Sequence, residues 1–483
     1  MELSRKCIFG SIFLASCFPL FCQQVMPLSD DSTIYKSSLD SLTGRYQRDI
    51  ARIKEKSFDK NSKYLSGLYK DRYDHIKEIF TEGGILTNPE ANLYLQSLVG
   101  IIRQYNPEVR KLESRVLFCK AYWPNAASMG EGTILFNIGL FNRLQNEAQV
   151  VFILCHELAH LYFDQGNKAL EVYVNTVYSE EFQKELKNIQ RSSYNKGQQL
   201  QTLARNITFN SRRHNREHES EADSMALEWM KNTPFDLHEA LNCLALLDSV
   251  DLDKYDVPLN LVQVLQTSRY PFQSRWLRQN LGLAAMADHQ TKEEKIVEDS
   301  LKTHPDCQQR IIRLQGRVAL YQRQTGIKFL RDQQEFEKLG PAFDIEIIWY
   351  CLKTGLVSRC LYLSLEMLPV YSDNAYVFAM IEGSLNKCYD FQKKHELSHI
   401  ADLPAPDFEK KYDSLLYFIQ NLRLPEWAAL SYYFGLDHQD RFKDNEEFLH
   451  QLISSKENFE KPEEKKQWVD YYFSHFPKRK YSY

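Results

Sequence analysis

Apolar residues recur at helical spacing along most of the chain, and only two short stretches alternate as strands do. Two polar stretches, near 38–57 and 62–81, carry spaced Ile and Leu among Lys, Asp and Tyr and predict two helices. Pro89 predicts the start of a third, running to Gln104 with Leu93, Leu95, Leu98 and Ile102 as its buried stripe. Arg115–Tyr122 and Thr133–Ile138 predict the strands. Val150–Leu154 and Leu161–Phe163 are apolar on both sides of a short polar core, which predicts a buried helix. Residues 170–213 read as polar and helical with a break at Gly197, and after about residue 316 the chain becomes aromatic-rich helices. The fold class expected is α+β, mostly α: a small sheet beside the buried helix, then an α-helical region.

The chemistry sits inside that buried helix. Residues 156–160 read His-Glu-Leu-Ala-His. On a helix His156 and His160 fall one turn apart on one face, so both imidazoles can hold one Zn²⁺. Glu157 lies beside them, placed to take a proton from the attacking water as general base. A second copy, His395-Glu396-Leu397-Ser398-His399, follows Lys393 and Lys394, whose charges oppose a dication, and precedes Pro404 and Pro406. It reads as a solvated helix end.

A catalytic zinc needs a third protein ligand and an open position. A third His at the metzincin spacing is absent, since Phe163 and Gly166 stand there. Glu180 falls at the thermolysin-like spacing, but it heads an exposed amphipathic segment and its supporting carboxylate is replaced by Lys184. Glu219 and Asp223, at i,i+4, put two carboxylates on one helix face: one to ligate, the other to accept a ligand histidine's free N–H. The alternatives are an ordinary charged helix, or a metal pair formed by His214 and His218.

His156–His160 with Glu219-Ser220-Glu221-Ala222-Asp223 resembles the HtpX/Oma/CAAX-prenyl-endopeptidase family of zinc metallopeptidases (peptidase family M forty-eight), which are gluzincins. The resemblance covers roughly residues 40–315. It implies one Zn²⁺ per chain held by His156, His160 and Glu219, and a metalloendopeptidase activity. Asn125-Ala126 and Gly130–Phe136 resemble the family's segment whose edge strand pairs with the substrate backbone, which implies Gly130, Gly132, Thr133 and Ile134 for that pairing. Thr303-His304-Pro305 with Arg310-Ile311 resembles a segment of the exported bacterial members. That makes His304 a candidate latch ligand over the metal; the other reading is a loop histidine with local hydrogen bonds. By the same resemblance the substrates would be unfolded or extended, misfolded or stalled cell-envelope proteins. The exopeptidase segment that captures a free amino terminus is not matched by Ser128-Met129-Gly130-Glu131.

The remaining features set the context. Arg5, Lys6 and the apolar run Cys7–Phe21 read as a signal segment, residues 1–22. Two routes compete: lipidation of Cys17, or cleavage before Gln23. Either exports the protein to the periplasm or cell envelope. Net charge is −4 with no basic block, so no nucleic-acid partner is expected. The cysteines beyond the signal form no C-x-x-C; Cys351 with Cys360 is one conceivable bridge. The organisation expected is a linker and N-terminal helices over 23–85, a zinc metallopeptidase domain over 86–315, and a helical domain over 316–483. In the last, Ile347, Cys351, Gly355, Cys360, Met367 and Asp373-Asn374 resemble a degenerate tetratricopeptide unit, echoed at Phe378 and Ile381. Such helices could receive an envelope partner or substrate, or simply cap the peptidase.

Overall fold

A helix that is apolar all round has to be covered all round, and the fold does this for Glu147–Tyr162. The computed structural model describes residues 25–56, 60–191, 216–249, 254–255, 257–279, 307–321, 326–405 and 410–477. The expected signal segment, Cys17 and His304 lie outside those residues. Helices of ten residues or more are numbered here: α1 (Ser32–Lys56), α2 (Lys60–Thr81), α3 (Pro89–Tyr105), then α4 (Glu147–Tyr162), the central helix. The peptidase half continues with α5 (Gln165–Val177), α6 (Glu180–Arg191), α7 (216–232), α8 (His238–Leu247) and α9 (Cys307–Tyr321). An array follows: α10 (Gln333–Lys353), α11 (Val357–Met367), α12 (Ala375–Lys393), α13 (Lys410–Asn421), α14 (Leu424–Phe442), α15 (Glu446–Asn458) and α16 (Pro462–His475). The chain is therefore α+β and mostly α.

Three strands form the sheet, β1 (Arg115–Cys119), β2 (Ala126–Ser128) and β3 (Thr133–Asn137), in the order β1-β3-β2. β1 runs parallel to β3 with Val116 opposite Ile134, and β2 antiparallel with Ser128 opposite Ile134. Two expectations change here. β1 ends at Cys119 rather than Tyr122, because β3 turns into a helix at Ile138 and leaves no partner. There the Lys120 ammonium pairs instead with Asp30 (2.7 Å) and Glu346 (2.8 Å). Ala126–Ser128, not foreseen as a strand, is one of the two outer strands, and it packs against α4.

Of residues 23–35, expected to be a loose linker, 25–31 are tied down and Ser32 already opens α1. Thr87 N donates to Asp30 (2.7 Å), Leu28 N donates to Glu346 (2.9 Å), and Asn374 Nδ2 donates to Val25 O (2.9 Å). Of the stripe expected on α3, Leu95, Leu98 and Ile102 are buried, but Leu93 faces solvent. Within 170–213, read as helical with a break at Gly197, the turn at Tyr178-Ser179 separates α5 from α6, and Gly197 lies outside the described residues.

The same apolar core contains Leu98 of α3, Leu154 of α4, Phe343 of α10 and Leu452 of α15, so the C-terminal array is packed onto the peptidase half without a break. Phe343 sits 5.0 Å from the Phe118 ring and 5.1 Å from that of Phe141. Buried carboxylates fasten this junction. Glu147, in the first turn of α4, accepts from Tyr94 Oη (2.9 Å) and from the backbone N–H groups of Leu330, Arg331 and Asp332 (2.7, 2.7 and 2.8 Å). Asp344 accepts from Asn142, Lys254, Tyr255 and Tyr371. Truncating such a carboxylate would strand several buried donors at ~1–3 kcal/mol each. The residues resembling a repeat unit fall on the helix pair α10–α11: Ile347, Cys351, Cys360 and Met367 are buried, and Gly355 makes the turn at φ +86°. Cys351 and Cys360 are free thiols.

Glu382 on α12 is fully buried, and Gly435 on α14 leaves the room for its carboxyl, since a Cβ there would meet Glu382 Oε1 at 2.2 Å. Burial pushes its pKa up to about 8, against the pull of Ser455 and Lys456. The folded state thus keeps a proton that the unfolded chain releases above 4.5. Between pH 4.5 and 8 this group makes stability fall as pH rises, by up to about 1.4 kcal/mol per pH unit. Glu382→Gln is expected to raise the thermal midpoint at pH 8 and to flatten its decline from pH 5; identical melting curves for variant and wild type at pH 8 would refute the assignment.

Candidate metal centre

Asn146 caps α4, its side chain accepting from Gln149 N (3.1 Å), and the helix ends at Phe163. Everything from Glu147 to Ala159 is buried, and His160 sits at the half-buried end. Two turns of the same helix thereby carry His156 and His160 into one place. Their Nε2 atoms lie 3.0 Å apart. From α7, Glu219 brings Oε2 to 3.5 Å from His156 Nε2 and Oε1 to 3.4 Å from His160 Nε2. One ligand atom from each of the three lies within 4.8 Å of the others, and among the described residues this is the one such group.

The far nitrogens are occupied, which decides where the near ones point. His156 Nδ1–H donates to Asp223 Oδ1 (2.9 Å), so its Nε2 lone pair faces the centre. Asp223 in turn receives Arg310 from α9, Nε to Oδ2 at 2.7 Å and Nη2 to Oδ1 at 2.6 Å, and Arg310 Nη1 stands 3.5 Å from Glu219 Oε2. On the other ligand, His160 Nδ1 meets Gln165 Oε1 at 2.5 Å. Burial opposes the charge on Asp223, but Arg310 and the His156 hydrogen bond outweigh it and hold the carboxyl well below the usual carboxylate range. Burial likewise opposes the Arg310 cation, and Asp223 with Glu219 more than restore it.

The donor set, two imidazoles and a carboxylate, is one that catalytic zinc sites use. Charge agrees. Glu157, Glu219 and Asp223 are buried around the centre with Arg310 as the buried cation, three formal negatives against one positive. A dication answers the difference, whereas bare burial of such groups is costly.

Other sequence candidates end elsewhere. Glu180 is exposed at the start of α6. His214 lies outside the described residues, and His218 contributes its carbonyl to Gln165 Nε2 (3.4 Å). In the second motif His395 adopts φ 61° just past α12, and Leu397–His399 is a short 3-10 turn, so its two histidines do not share a helix face. Thr133 and Ile134 are not at an edge: β3 is the central strand, bonded on both sides. Gly130 (φ +79°) and Gly132 (φ +102°) shape the β2–β3 turn instead. A Cβ on either would strike Arg72 or Arg45. β2 is an edge strand of the sheet. Gln165 was missed by the sequence reading, since nothing marks a lone Gln after a helix. Arg310 was visible only as part of the motif after His304.

Asp223→Ala removes both the acceptor of His156 and the counter-charge of Arg310. Zinc affinity by chelator competition is expected to fall about 10–100-fold, and the metal-free protein to lose about 3–5 kcal/mol through the stranded guanidinium. Unchanged values for both would take Asp223 out of the centre.

Among known proteins, the family model described as Peptidase family M48 matches residues 110–318, a span that takes in β1–β3, both histidines, Glu219, Asp223 and Arg310. No curated protein matches the chain. Residues 110–318 thus match peptidase family M48, a family of zinc-dependent metallopeptidases.

Proposed function

We propose that the protein is an exported zinc endopeptidase that cuts unfolded or extended proteins of the cell envelope, with a role in protein quality control. The observation carrying the peptidase reading is the convergence of His160 and Glu219 with His156, itself oriented by Asp223, within a segment that matches family M48. Zn²⁺ held by these three residues would supply Lewis acidity at the scissile carbonyl. The chain's own residues do the rest. Glu157 neighbours His156 and lies three residues before His160 on α4, at the flank of the ligand face and 1% exposed. As carboxylate it takes the proton of the attacking water, and as carboxylic acid it hands that proton to the leaving amine. Asp223 and Arg310 keep His156 in the tautomer that faces the centre.

Endopeptidase action is favoured by the outer strand Ala126–Ser128 beside α4, on which an extended substrate can add as a further strand without presenting a terminus. Export rests on the apolar run Cys7–Phe21 after Arg5 and Lys6, and the N-terminal residue of the mature protein tests it. No helix among the described residues is long and apolar enough to cross a membrane. The C-terminal array, α10–α16, would hold an envelope partner or present substrate to the centre. The rival reading is a binding scaffold with an idle centre, and the retained Glu157 speaks against it.

Glu157→Gln is expected to lower cleavage of an unfolded protein such as casein by about 10²–10⁴-fold while zinc stays bound. A variant that still cuts at the wild-type rate would remove Glu157 as the base. Loss of zinc with loss of cleavage would make it a structural residue.

A further inference from the structure

We propose that Gln165 is the positioning residue of His160 and that Glu221 holds Gln165, so that the two histidines are oriented by different chemistries. The proposal rests on the reading of this site as a zinc centre. Gln165 opens α5 and is 4% exposed. Its Nε2 donates to Glu221 Oε2 at 2.9 Å and faces the His218 carbonyl at 3.4 Å. Both are acceptors only, so the amide's NH₂ must lie on that side and its oxygen must face His160. At 2.5 Å that oxygen takes the Nδ1 proton, and the Nε2 lone pair of His160 is left aimed at the centre. His156 is oriented by a carboxylate that a guanidinium neutralises, whereas His160 is oriented by a neutral amide.

Two features of the chain make this contact. Asp164 sits in the left-handed region at φ 54°, which turns the chain sharply between α4 and α5 and brings Gln165 back under His160. Asn167 Nδ2 secures the turn by donating to Asp164 Oδ1 (2.6 Å) and to Gly130 O (3.1 Å). On α7, Glu221 is two residues from both Glu219 and Asp223 and so faces away from the side they share. From there its carboxylate accepts from Gln165 Nε2. The amide thus spans from the second histidine on α4 to α7, the helix that carries the third ligand.

The test is Zn²⁺ affinity, by chelator competition on the full chain, for wild type, Gln165→Ala, Gln165→Glu, and Gln165→Glu with Glu221→Gln. Gln165→Ala is expected to weaken zinc about 10–100-fold, with the melting point of the metal-free protein little changed. Gln165→Glu alone sets two carboxylates against each other and should weaken it as well. The double exchange restores an acceptor toward His160 and a donor behind it, and should return affinity to within a few-fold of wild type. A purely structural role would not give that recovery. Wild-type affinity in Gln165→Ala, or no recovery in the double variant, overturns the proposal alone. A wild-type protein that binds no zinc overturns the zinc reading together with it.

Discussion

The polar atoms that α4 carries into an apolar core all have to be answered from other elements, because a buried group without a partner costs ~1–3 kcal/mol. At its N-terminal end the answers come from the C-terminal half of the chain and from α8. Loop 330–332 meets Glu147, and Glu239 meets Asn146 and Gln149, each at 2.8 Å. At its C-terminal end they come from α5, α7 and α9, through Gln165, Asp223 and Arg310. One helix thus fixes both the docking of the array and the geometry of the centre. Against a net stability of about 5–15 kcal/mol, losing several of these partners together would unfold the domain.

The two ends differ in what completes them. Glu147 is satisfied within the protein by four donors. The ligand end keeps an excess of buried negative charge, with Glu157, Glu219 and Asp223 set against Arg310. Its two near nitrogens are only 3.0 Å apart. A core built for stability alone would not gather these groups, since charges buried together are stabilising only when paired. Residues 110–318 match a family of zinc-dependent metallopeptidases, and a divalent metal held by His156, His160 and Glu219 would offset that charge.

Periodicity and capping made much of the fold legible. The helical spacing of α1 to α4 and the alternation of β1 and β3 follow from local sequence. The three residues of β2 do not, because Ala126–Ser128 has no period of its own and is a strand only by pairing with β3. Thr133 and Ile134 likewise have strand character, but their place in the central strand belongs to topology. Leu93 was drawn into a stripe whose neighbours are buried, although nothing packs over it. At the centre, His156, His160, Glu219 and Asp223 could be read from i,i+4 spacing on two helices. Gln165 and Arg310 come from turns and helices whose placement relative to α4 is tertiary, so no local pattern announces them. The polar look of 25–31 misled for the same reason, since its partners Thr87, Glu346 and Asn374 are distant in the chain.

The most direct test of this account is the zinc content of the purified protein, measured for wild type, Glu219→Ala and His399→Ala. About one equivalent per chain in wild type, lost in Glu219→Ala and kept in His399→Ala, is the expected result for a single His₂Glu centre. A wild type without zinc, or zinc that survives loss of Glu219 and depends on His399, would contradict it.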